Sequence, residues 1–205
     1  NGATWRSADE LLAQALRYRT YWKNGGGITV SGGEPLLQID FLLDLFKKAK
    51  AKGIHTTIDT AGGPFTREEP FFSKFQELMQ YTDLLLVDIK HIDEKAHKEL
   101  TGKTNKNILD MIRFLSDIKK PVWIRHVLVP ERSDYDEYLN RLNDFIQTLD
   151  NVERVEILPY HTLGVHKYEA MEQEYKLKDV KENTPDQLEK AAKVFKEYFT
   201  TVVVN

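Results

Sequence analysis

Short apolar runs rich in β-branched residues recur along the chain, and between them apolar positions return at helical spacing. Residues 27–31, 54–59, 84–89, 122–129, 152–158 and 200–204 each read as a strand bounded by turn signals. Ser7 with Glu10 forms a capping box, which predicts a helix running through Trp22. Asp40 precedes the stripe Phe41, Leu42, Leu45, Phe46 and Ala49, and Gly53 closes that helix behind a lysine run. Asp134 precedes Tyr138, Leu139, Leu142, Phe145, Ile146 and Leu149 at the same spacing, and Thr184 with Pro185 opens a last helix. Strand and helix thus alternate over nearly the whole chain, which predicts a parallel sheet covered by helices. Six strand candidates fall short of the eight of a complete barrel, so a partial barrel in a single α/β domain spanning residues 1–205 is expected.

Composition narrows the function classes. Apolar residues make up 41% and charged residues 30% of 205, which excludes a disordered chain. Lys plus Arg number 29 against 32 for Asp plus Glu, so bulk charge gives no reason to expect nucleic acid or anionic membrane as a partner. The longest aliphatic run, residues 84–87, is too short to span a bilayer, and no basic-then-apolar leader opens the chain. A cytoplasmic monomer is the expectation. The chain contains no cysteine, which excludes disulfides, thiolate zinc sites and a cysteine-held iron–sulfur cluster within these residues. Its first residue is Asn1 and not Met, as expected of a part of something longer.

In parallel α/β folds chemistry collects at the carboxyl ends of strands. Those ends carry Ser31-Gly32-Gly33-Glu34-Pro35, Asp59-Thr60-Ala61-Gly62, Asp88-Ile89-Lys90, Arg125-His126 and Leu158-Pro159-Tyr160-His161. Titratable groups at successive ends suit one polar ligand. Gly27 and Gly32 have phosphate-loop spacing, but Gly33-Glu34 stands where Lys-Ser/Thr is required, and no GxGxxG occurs. Gly32 and Gly33 let a ligand approach backbone carbonyls, an arrangement suited to an ammonium group. Asp88 and Lys90 project to the same side of an extended strand, as a buried ion pair or as a clamp for a zwitterion. Lys90 is alternatively a Schiff-base nucleophile. Arg125 either pairs with a helix carboxylate or reaches into the barrel mouth. His161 and His166 have no recognised metal spacing, and Met79, Met111 and Met171 need only a packing role.

Taken in order, five segments carry a family resemblance. They are Gly25-Gly26-Gly27-Ile28-Thr29-Val30-Ser31-Gly32-Gly33-Glu34-Pro35, residues 54–60, Leu86-Val87-Asp88-Ile89-Lys90, residues 123–130 and Ile157-Leu158-Pro159-Tyr160-His161-Thr162-Leu163-Gly164. Together with residues 168–171 and 174–177 they resemble the pyruvate formate-lyase-activating family of radical S-adenosylmethionine enzymes. Two departures stand out. The family's Cys-x3-Cys-x2-Cys segment and the core strand before it are missing, residues 1–5 resembling the stretch just after the cysteines, with a shortened segment following Trp5. Ala61 stands where the family often has Asn.

The resemblance implies a partial parallel (β/α)6-type barrel, S-adenosylmethionine and a [4Fe-4S] cluster. It also implies hydrogen abstraction from a backbone glycine of pyruvate formate-lyase, with flavodoxin or ferredoxin as the electron donor. Gly32, Gly33 and Glu34 would border the methionyl amino group. Lys90 would meet the cofactor carboxylate with Asp88 beside it and His161 near the nucleoside, and Ile89 and Arg125 would also be among the cofactor-binding residues. Asp59, Thr60, the Leu86 carbonyl and Asp88 would hold a monovalent cation. Residues 159–171, including Tyr160, His166, Lys167 and Tyr168, would receive the glycine-bearing peptide. No catalytic group lies in the chain itself, so the cysteine-free chain alone is expected to be inactive. The alternatives are a lyase using Lys90 as a Schiff base, or a non-catalytic S-adenosylmethionine or peptide-binding module.

Overall fold

In the computed structural model residues 4–22, 25–162, 177, 179–198 and 201–202 are described. Along the chain come α1 (Ala8–Leu16), β1 (Gly27–Val30), α2 (Ile39–Lys50), β2 (His55–Thr60), α3 (Phe71–Gln80), β3 (Leu84–Asp88), α4 (Glu94–Thr101) and α5 (Lys106–Asp117). Then follow β4 (Val122–Leu128), α6 (Asp136–Gln147), β5 (Val152–Pro159), α7 (Pro185–Val194) and β6 (Thr201–Val202). The expected α/β alternation is present. The chain divides into two units, residues 1–87 with 107–122 and residues 88–106 with 123–205.

In the first unit β1, β2 and β3 pair in parallel, with Gly27 opposite His55 and Thr57 opposite Leu84. Gly27 is required by this pairing, because a Cβ there would lie 1.9 Å from the His55 carbonyl oxygen. The helix α2 buries Leu42, Leu45, Phe46 and Ala49, the apolar stripe read from the sequence, and it begins one residue before Asp40. At the amino ends of β2 and β3, Asp83 accepts from Lys50 Nζ at 2.8 Å and from the Thr56 N–H at 2.8 Å. Burial pushes the Asp83 carboxyl up, but Lys50 and Thr56 together outweigh it and hold the group below its ordinary range. This anchor stitches the strand ends opposite to those that carry the candidate chemistry. Ser7 and Glu10 cap α1 reciprocally, as read from the sequence. The helix stops at Leu16, not Trp22, since only Ala8 and Leu12 are buried and the following Tyr18 and Tyr21 lie exposed.

In the second unit, β4 alternates, burying Ile124, His126 and Leu128 while Trp123, Arg125 and Val127 are only half-buried. β5 and β6 are parallel, with Ile157 opposite Val202. The helix α6 starts at Asp136 with Tyr135 at its cap, and not directly after Asp134. A second capping box, Thr184 with Gln187, opens α7. No helix among the described residues is long and apolar enough to cross a membrane.

Three histidines of this unit, His91, His97 and His126, are no more than 2% exposed. Burial pushes the pKa of His91 and of His126 below the ordinary histidine value, and their contacts to the Arg132 and Ile89 carbonyls only partly offset it. The unfolded chain therefore binds more protons just below pH 6.5, so stability is complete above that pH and falls as pH drops through it. The thermal midpoint should decline from pH 7.5 to 5.5, above the main carboxylate titrations, and His126→Asn should decline less steeply than the parent. Equal slopes in a calorimetric pH series would remove His126 as a source of that dependence.

Candidate functional site

The first unit places Gly32, Gly33 and Glu34 in the turn after β1, and Asp59, Thr60 and Ala61 at the end of β2. Gly32 and Gly33 take φ of +92° and +56°, the left-handed region that favours glycine, and a Cβ on either would meet no atom within 4 Å. The turn therefore presents bare backbone beside open space. Glu34 then folds its own carboxylate back onto β2. Its Oε1 accepts from the Thr60 hydroxyl at 2.6 Å and from the Leu36 N–H at 3.1 Å, and its Oε2 accepts from the Ala61 N–H at 3.0 Å. The Thr60 oxygen in turn accepts from the Gly62 N–H at 2.8 Å. Glu34 is thus first a clip between two strand ends, with about one of its four lone-pair sites left over. Asp59 lies in register with Leu86 on β3.

The Glu34 clip can be measured. Glu34→Ala leaves the buried Thr60 hydroxyl and the Ala61 N–H without their acceptor, which should cost about 1–3 kcal/mol of stability. Glu34→Gln, which keeps one acceptor oxygen, should lie between the two in urea denaturation. Parent-like stability of Glu34→Ala would show that water replaces the carboxylate without loss.

The second unit holds Asp88, Ile89, Lys90, Arg125 and His161. Lys90 Nζ lies 2.6 Å from Asp88 Oδ2, so the same-side placement read from strand alternation is realised as an ion pair. The pair is half-open, with side-chain exposures of 34% for Lys90 and 18% for Asp88. The second Asp88 oxygen, Oδ1, is buried with no hydrogen-bond partner. A carboxylate oxygen in that state costs free energy unless a donor or cation arrives. Arg125 approaches Glu156 on β5, Nε to Oε2 3.6 Å, a carboxylate on a strand. His161 is exposed, two residues past β5.

Two further readings change. Tyr160 is 5% exposed, and its hydroxyl donates to the Leu177 carbonyl at 3.1 Å, so its ring does not offer the flat contact surface expected for a peptide. His166, Lys167 and Tyr168 lie outside the described residues. The sequence places His126 only among the titratable groups at the strand ends, and strand alternation puts it on the face opposite Arg125. Its Nδ1 lies 2.8 Å from the Ile89 carbonyl oxygen.

The donor sets decide what each group can hold. Among the described residues no three His, Asp or Glu side chains gather as a metal site, and the sequence has no thiolate. An iron–sulfur cluster takes no ligand of the usual kind from these residues. Each unit by itself offers groups that suit a zwitterionic organic cofactor: the second has the unpaired Asp88 Oδ1 and the half-exposed Lys90 ammonium, and the first has the uncovered backbone of Gly32 and Gly33.

Comparison with known proteins agrees with this chemistry. Residues 1–146 match the Radical SAM superfamily. A pyruvate formate-lyase-activating enzyme of Streptococcus mutans is 51% identical over 192 residues, covering 94% of this chain and 73% of the relative. One of Staphylococcus aureus is 50% identical over 201 residues, covering 94% and 80%. A crystal structure of a domain of pyruvate-formate lyase-activating enzyme from Bacteroides vulgatus superposes with a TM-score of 0.70 at 25% identity, over 88% of this chain and all of that one. The chain belongs to the Radical SAM superfamily and, within it, to the family of pyruvate formate-lyase-activating enzymes.

Proposed function

We propose that this chain is the S-adenosylmethionine-binding part of an activase that places a radical on a backbone glycine of pyruvate formate-lyase. The observation that carries the reading is the Asp88–Lys90 pair at the end of β3, half-open and with one carboxylate oxygen left buried and unpartnered. When bound, S-adenosylmethionine supplies, on one-electron reduction, methionine and a 5′-deoxyadenosyl radical that takes a hydrogen atom from a substrate carbon. The chain's own residues bind and orient. Lys90 meets the cofactor carboxylate, while Asp88 fixes the Lys90 ammonium and offers Oδ1 to a donor or cation. Gly32 and Gly33 admit the methionyl ammonium to backbone carbonyls, with the strand clip Glu34 beside them, and Arg125 and His161 lie toward the nucleoside. Asp59, Thr60, the Leu86 carbonyl and Asp88 supply the hard oxygen donors of a monovalent-cation site. The electron comes from a flavodoxin- or ferredoxin-class donor.

A Schiff-base role for Lys90 is not favoured, because the ion pair engages the nitrogen that such chemistry needs as a free amine. The test uses full-length protein purified without oxygen, mixed with S-adenosylmethionine, a low-potential reductant and pyruvate formate-lyase. Electron paramagnetic resonance should then show a glycyl radical on the lyase, absent when its target glycine is alanine. Cofactor cleavage with no radical on the lyase would reject this substrate.

A further inference from the structure

The Asp88–Lys90 pair is preset by the residue between its members. The Ile89 N–H donates to the Arg125 carbonyl at 2.9 Å, and the Ile89 carbonyl accepts from His126 Nδ1 at 2.8 Å. Both peptide groups flanking Ile89 are therefore tied to β4, and its side chain is 1% exposed. Two fixed peptide planes leave the Cα atoms of Asp88 and Lys90 little freedom. Their side chains start from set positions and meet at 2.6 Å. The chain just beyond is held as well, since Asn105 Nδ2 donates to the carbonyls of His91 and Ile92 at 3.1 and 2.8 Å.

His126 itself is an expensive way to fill a core position. It is 2% exposed, and its Nε2 is buried with no partner at hydrogen-bond distance, although the Ser133 backbone, like the Ile89 carbonyl, acts on the ring to favour its charged form. A carbonyl only accepts, so the Nδ1 that meets the Ile89 carbonyl carries a proton. Burial disfavours the imidazolium, so the ring stays neutral. An aliphatic side chain would pack on this face, beside Ile124 and Leu128, but would take the donor away from the Ile89 carbonyl. What the imidazole adds is one donor, aimed at one carbonyl.

We infer that His126 is a positioning residue, whose Nδ1–H fixes the Ile89 peptide so that Asp88 and Lys90 meet the cofactor as a preformed pair. The inference rests on the cofactor reading proposed above. Preorganisation of this kind acts by removing the ordering that binding would otherwise have to impose.

The test takes full-length protein through His126→Phe and His126→Leu, which remove the donor, and His126→Asn, which carries an amide N–H on a short side chain. S-adenosylmethionine affinity is measured by calorimetry, and Ile89 amide exchange by hydrogen–deuterium exchange. The donor-less variants should bind about tenfold more weakly and exchange the Ile89 amide faster, while His126→Asn stays within about threefold of the parent. In a Lys90→Met background, His126→Phe should change affinity by less than about twofold, because it acts through Lys90. Parent-like affinity in a folded donor-less variant, equal losses in Asn and Phe, or full additivity with Lys90→Met would each overturn the inference. If Lys90→Met alone leaves affinity unchanged, the cofactor reading fails. Exchange at Ile89 then decides the positioning claim separately, for it if only the donor-less variants speed it and against it otherwise.

Discussion

Anaerobic incubation of the 205-residue chain with iron and sulfide is expected to yield no stable [4Fe-4S] absorbance and no radical on pyruvate formate-lyase. Such clusters are held by cysteine thiolates, with histidine replacing cysteine only in special cases. The sequence holds six histidines and no cysteine, and no three-residue His, Asp or Glu group gathers among the described residues. Imidazoles scattered at His55, His91, His97 and His126 offer neither the negative charge nor the clustering that a cubane needs. His91, His97 and His126 are moreover committed to backbone carbonyls. The expected effect on turnover is therefore total. Joining the family's first core strand with its Cys-x3-Cys-x2-Cys loop ahead of residue 1 should restore both signals. A stoichiometric cluster on a chain of this mass, 23.8 kDa, would sink the argument.

Much of the architecture was legible because its causes are local. The β-branched runs became β1 to β5, and Ser7 with Glu10, and Thr184 with Pro185, open the helices they announce. The stripe from Leu42 to Ala49 is buried as its 3.6-residue period requires. Placing Asp88 and Lys90 on one side needed only the two-residue period of a strand. What escaped has its causes elsewhere in the chain. The end of α1 is set by the lack of anything to bury Tyr18 and Tyr21. The commitment of Glu34 to Thr60 and Ala61 depends on the register of β1 against β2, which no short motif encodes. The Glu156 carboxylate that Arg125 approaches lies far downstream in the chain, on β5. The sequence groups His126 with Arg125 as a titratable strand end, and only the Ile89 carbonyl lying 2.8 Å away shows what its ring is tied to.

Replacing Lys90 by Met should weaken S-adenosylmethionine binding in the full-length protein by about 1–3 kcal/mol, the usual cost of losing a charge-assisted hydrogen bond. Methionine keeps the length and apolar stem of lysine, so the change is mainly one of charge. Two effects add. The cofactor carboxylate loses its ammonium partner, and the Asp88 carboxylate, which already has one unpartnered buried oxygen, is left facing that carboxylate without its cation. Like charges at a partly buried site repel, which places Lys90→Met toward the upper end of the range. Asp88→Asn separates the two contributions. It removes the repulsion but also the anchor that holds Nζ at 2.6 Å, so its loss should be smaller than that of Lys90→Met. The double variant Lys90→Met with Asp88→Asn should then bind better than Lys90→Met alone, an inversion that only a shared ligand anion predicts. Were the pair purely structural, both single variants would lower the thermal midpoint and leave calorimetric affinity unchanged. That result would take the cofactor away from the end of β3.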